Sequence, residues 1–343
     1  MINDKMVNNL NLGIQILRSL LCFWVVLNHC LNPNNKKLEK ILFKYRIHVP
    51  CFILMAFYFS HKIIISRNII RIKKRFERLL IPYFILPIII LIINNLLYSY
   101  TSFGSFGRIL NKKDLFEQYL FGRSIIPPFW FQFYLIWSTT LFIIISFLIK
   151  DKERFSMIIM HIFLISYFLQ YSKLNFKYFT SFKPIVQYSV GSFVEMLPIS
   201  ATGCFMSSLN FFKLVTNSKK VIYFSTISLI LILVFDIFKS IYSISFSGIA
   251  LNVGSIFLFI IFYLLPFNYI KNTSITNSIL LFSNYTQGIY SLHMTAELIL
   301  APKIKIVKSS SFIGCVFLYI FCYMISFFGY KLTKKTKLIY LFI

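Results

Sequence analysis

Ten stretches of this 343-residue chain run nearly free of charge for about the length needed to cross a bilayer. They fall at about 12–31, 49–66, 79–100, 129–149, 155–171, 185–210, 221–238, 249–266, 279–300 and 312–330. Roughly 17 to 25 apolar residues in a helix cover the hydrocarbon core. Lipid offers no hydrogen bonds, so the backbone of each span must satisfy itself, which a helix does and an open sheet does not. The expected fold is all-α: a polytopic membrane protein with about ten transmembrane helices in one bundle. A single membrane domain is expected over 1–343, with no internal repeat, soluble domain or low-complexity linker. With 58% hydrophobic and 13% charged residues, the composition agrees.

The chain carries 36 Lys and Arg against 10 Asp and Glu, a net charge of +26. In a soluble protein that excess would raise nucleic acid as a partner. Here the cations lie mostly between apolar runs, so membrane lipids with anionic headgroups are the expected partner and nucleic acid is not. Lys62, Arg67, Arg71, Lys73, Lys74, Arg75 and Arg78 crowd into 17 residues after the second span. Lys331, Lys334, Lys335 and Lys337 follow the last span. The positive-inside rule therefore places both termini in the cytoplasm of a multi-pass plasma-membrane protein. The first apolar run is expected to be a retained span rather than a cleaved leader. None of the six cysteines has zinc-site spacing, and no metal is expected. Cys30 and Cys51 flank the first loop, but burial as free thiols is the simpler expectation.

Charged and titratable residues inside spans are costly and call for a reason. In the first span Arg18 and His29 stand eleven residues apart. Eleven steps of about 100° make roughly three turns and 20°, so both lie on one face, about 16 Å apart along the axis. A fixed cation toward one side and a titratable base toward the other suit an anionic donor and an activated hydroxyl. Snorkelling of Arg18 and an interhelical hydrogen bond from His29 are the bland alternatives. Arg75 and Arg78, three apart before Pro82-Tyr83, share a helix face. With Arg71 and Lys74 they form a basic surface suited to a nucleotide-phosphate donor, or to simple anchoring.

The ninth span carries Thr286, Tyr290, His293 and Glu297 on one face. Glu297 is placed to orient His293, and Thr286 and Tyr290 to hydrogen-bond a sugar or carbonyl; a polar helix seam is the alternative. Glu195 and Asp236 are candidate partners for Arg18. His48 is a candidate for an outer vestibule, and His61 and His161 are expected at interfaces. Trp130-Phe131 opens the fourth span as part of an aromatic belt.

Together these landmarks resemble the acyltransferase-3 family of integral membrane O-acyltransferases, of the bacterial polysaccharide O-acetyltransferase type. Arg18 and His29 match the family's basic residue, ten residues, then His. Val49-Pro50 and Tyr58 match its second span, although Ala56-Phe57 stands where the family has Ser-Gly. Arg75, Arg78, Pro82 and Tyr83 match its Arg-x-x-Arg stretch, and Trp130-Phe131, Gly203, Tyr290 and His293 match its later landmarks. The resemblance implies transfer of an acyl group, most often acetyl, from cytoplasmic acyl-coenzyme A to a hydroxyl of a cell-surface or lipid-linked glycan. Catalysis would fall to His29 with Arg18. The donor would bind at Arg75, Arg78, Arg71 and Lys74, and the pocket would be lined by Tyr290, His293, Glu297, Trp130 and Tyr58. No tightly bound cofactor is implied; acetyl-coenzyme A is a substrate. A transporter or flippase, and a catalytically degenerate homologue with a sensing or scaffolding role, stand as alternatives. Acceptor identity and oligomeric state have no readable code.

Overall fold

The computed structural model describes residues 11–30, 47–98, 119, 129–171, 184–241, 248–265, 273–300, 304, 307 and 312–342. Eleven helices of three turns or more fill them: α1 (Leu12–Cys30), α2 (His48–Ser66), α3 (Ile69–Tyr98), α4 (Phe129–Leu148), α5 (Lys152–Tyr171), α6 (Pro184–Ser208), α7 (Ser218–Ile241), α8 (Gly248–Leu264), α9 (Thr273–Asn284), α10 (Thr286–Leu300) and α11 (Phe312–Thr333). No strand occurs among the described residues. A 3-10 turn, Lys337–Leu341, follows α11. The protein is an all-α membrane protein. Four helices, α1, α2, α4 and α11, meet the length and hydropathy expected of a span on their own. Large apolar side chains project outward along the bundle, among them Phe84, Leu148 and Leu231. Lipid is the environment that suits such a surface.

Local chemistry sets several helix starts. Asn11, Asn68, Asp151 and Asn217 each accept a backbone N–H from the first turn of α1, α3, α5 and α7. Two residues, Arg67 and Asn68, join α2 to α3, and Arg67 lies in the left-handed region at φ 51°. Its guanidinium donates to the carbonyls of Ser146, Ile149 and Lys150 at 2.6 to 2.9 Å, capping the end of α4.

Close packing takes the place of hydrophobic collapse inside lipid. α2 packs most extensively on α6, where Gly203 meets the α2 backbone. A Cβ there would sit 2.5 Å from the Leu54 carbonyl and 3.2 Å from the Phe57 Cβ. The close approach of α2 and α6 is made at Gly203. Phe57 is buried and packs edge-on against Phe142 of α4. A second core joins α1, α10 and α11 around Cys22, Val26, Ile289 and Cys322. Phe52 and Tyr290 touch both cores. The described cysteines, Cys51 among them, are free and buried, so no bridge from Cys51 to Cys30 forms.

The stretch expected as one span at 279–300 is two helices meeting at Tyr285. Thr286 bonds back to the Ser283 carbonyl across the break.

Candidate active site

α1 and α10 run parallel, and their facing sides hold the polar residues in layers. At one end Arg18 donates to Thr286 Oγ1 at 3.1 Å and to Gln15 Oε1 at 3.3 Å. At the other, the His29 and His293 rings lie 5.2 Å apart, centroid to centroid. The common face expected for Arg18 and His29 thus meets the face expected for Thr286, Tyr290 and His293. Between the ends, Cys22 donates to the Thr286 carbonyl, and Tyr290 packs with Phe52 of α2 and Phe131 of α4.

The arginine end gathers cations from two helices. The Arg78 guanidinium lies close enough to act electrostatically on both Arg18 and Arg75. Arg75 Nε and one terminal nitrogen are buried without a partner. Burial, then the neighbouring Arg78, pushes the Arg75 guanidinium down to about 10, still cationic at neutral pH. No carboxylate among the described residues pairs with any of the three. Arg78 is exposed and Arg18 and Arg75 are partly buried; partly buried cations without counterions are favourable around an anion. Arg71 and Lys74 stay exposed along the edge of α3, outside this cluster.

Pro82 explains how Arg78 is held. Lacking an N–H, it leaves the Arg78 carbonyl without its helical partner. Gln287 of α10 donates to that carbonyl at 3.3 Å and also reaches the Tyr340 carbonyl. The 3-10 turn then straps this end. Tyr340 faces the Arg78 guanidinium at 5.8 Å, Lys337 pairs with Glu77 at 2.6 Å, and Leu341 is buried with Tyr83 and Leu86. Gly288 admits the Phe342 carbonyl, which a Cβ would meet at 2.8 Å. Sequence reasoning missed Gln287 and the strap. A proline four residues after Arg78 was the available signal.

At the histidine end, His29 is exposed and His293 fully buried. His293 Nδ1 donates to the Tyr290 carbonyl at 2.6 Å, and its Nε2 has no partner. Glu297, expected to orient His293, therefore bonds to neither ring nitrogen. Tyr58, expected in the pocket, packs instead with Phe212, Phe259 and Tyr263. It lies six residues, about 9 Å of helix rise, beyond Phe52, which packs on Phe131 and Tyr290. The Trp130 side chain lies outside the described residues, as do those of Glu195 and Asp236. His48 is buried and contacts the Asn28 amide at 3.2 Å beside Trp24. His61 is buried against Phe155 of α5, and His161 is exposed.

The helical membrane bundle thus brings a cationic cluster and a histidine pair to opposite ends of one region. The family described as an acyltransferase domain, acyltransferase-3, matches residues 11–331, and the chain belongs to it. No curated protein and no solved structure matches the chain.

Proposed function

We propose that this protein transfers an acyl group, acetyl being the simplest, from cytoplasmic acyl-coenzyme A to a hydroxyl of a cell-surface or lipid-linked glycan. Family membership establishes acyl transfer in general. The observation that carries the finer reading is the α1–α10 seam, which places Arg18, Arg75 and Arg78 at one end and the exposed His29 at the other. Three guanidiniums with no carboxylate paired to them among the described residues suit the phosphates of a coenzyme A donor. The basic run at 62–78 puts that end at the cytoplasmic face of the plasma membrane, with both termini cytoplasmic. His29 then stands about 16 Å deeper, within partial reach of an extended pantetheine arm. A neutral imidazole there takes the proton of an acceptor hydroxyl as its oxygen attacks the thioester carbon. Arg18 positions the donor and offsets its charge.

Proton NMR of surface polysaccharide from cells carrying the wild type or His29→Ala, at matched membrane levels, tests this reading. O-acetyl signals present with the wild type and absent with the variant are expected. Equal acetylation in both removes His29 as catalyst, and none in either favours the scaffolding role.

A further inference from the structure

Resting on the acyl-transfer reading, we infer that His293 is a positioning residue that fixes the tautomer of His29. A carbonyl oxygen only accepts, so the 2.6 Å contact with Tyr290 places the His293 ring proton on Nδ1. The neutral ring then holds its lone pair at Nε2. That atom is buried and unpartnered, an uncommon state for a polar atom. The ring beside it is His29, tilted by 42°. Nε2 is therefore the acceptor available to one N–H of His29. Bonding there leaves the lone pair on the other His29 nitrogen, on a ring that is exposed.

The division of labour follows the logic of a base oriented by a third group, with a neutral imidazole in place of a carboxylate. In the transfer step the acceptor O–H gives its proton to His29 while its oxygen bonds to the thioester carbon. His293 Nε2 holds the imidazolium that forms. The C–S bond then breaks, and His29 returns the proton to the departing thiolate. An ester and a free thiol result, and both histidines end neutral.

The test compares His293→Leu with His293→Gln in proteoliposomes. Thiol release from acetyl-coenzyme A is followed with the lipid-linked glycan fraction of the source membranes as acceptor. The leucine variant is expected to lose about 100-fold in kcat, with KM for acetyl-coenzyme A within twofold of wild type. Glutamine, whose amide oxygen can replace Nε2, is expected to recover at least tenfold of that loss. A leucine variant within twofold of wild type, or glutamine no better than leucine, overturns the inference. Nitrogen-15 NMR of the protein's five histidines gives a second, activity-free readout. His293 is expected as the Nδ1–H tautomer, and the His29 shifts are expected to move in the leucine variant; unmoved shifts overturn the pairing. If the wild type consumes no donor, the acyl-transfer reading fails while the NMR still decides the pairing.

Discussion

At Arg18 three guanidiniums converge without a carboxylate among the described residues, whereas eleven residues further along α1 two imidazoles meet, one exposed and one buried. The first region is held by neutral groups: Thr286 and Gln15 on Arg18, Gln287 on the Arg78 backbone, Tyr340 over its guanidinium. Its charge is left for a ligand. In the second region Glu297 stands one turn beyond His293, whose orphan Nε2 is a proton acceptor. In the proposed function one end would bind and the other would move a proton. The aromatic layer of Phe52, Phe131 and Tyr290 separates them. Keeping the arginines away from the base matters, because a nearby cation would oppose protonation of His29 in the transition state.

Four measurements break or sharpen this contrast. The largest effect is expected from His29→Ala, which should lower kcat by about 100- to 10,000-fold while leaving donor affinity unchanged. Isothermal titration with acetyl-coenzyme A separates the two quantities; a weakened affinity would mean the ends are not distinct. Next comes Arg75→Met. Loss of a charge-assisted contact should weaken donor binding by about 10- to 100-fold. Because the guanidinium has unpartnered buried nitrogens in the unliganded protein, the melting temperature should hold or rise. A falling melting temperature would make Arg75 a structural cation. Gly203→Val tests packing alone. It should destabilise the protein by about 1–3 kcal/mol, since its Cβ would collide with the Leu54 carbonyl and nothing there can rotate away. Thermal unfolding in detergent measures it.

The smallest effect belongs to the strap. Its hydrogen bond with Lys337, with a smaller opposing contribution from desolvation, holds the Glu77 carboxyl below its ordinary range. A lowered carboxyl stabilises the contact above the unfolded-state value and loses it as pH falls through the lowered one. Proteolysis of the 337–342 segment should therefore accelerate only in acid below the usual carboxylate range. Lys337→Ala should abolish that acid dependence; a variant that keeps it would assign the dependence elsewhere.

Much of the candidate site was legible because Arg18, His29 and His293 are expensive in lipid and stand out in apolar surroundings, while Arg75 and Arg78 stand out as a dense basic run. Helical periodicity alone aligned Arg18 with His29 and Thr286 with His293. Tyr58 was misplaced because a motif position does not reveal which face of α2 meets which neighbour. The orientation of His293 by Glu297 was an i,i+4 expectation. A carbonyl three residues back took the ring proton instead.

Hydropathy and lipid's lack of hydrogen bonds determined that the chain folds into helices, where most of them lie, and that a few charged residues on them had to matter. Those are properties of single segments. That α10 meets α1 in parallel, that Gln287 fills the carbonyl Pro82 frees, that Gly203 meets the α2 backbone across the α2–α6 contact, and that Lys337–Leu341 straps the arginine end were decided only by tertiary structure. Each depends on which helix faces which, and packing between apolar helices in lipid is carried by shape, to which hydropathy is blind.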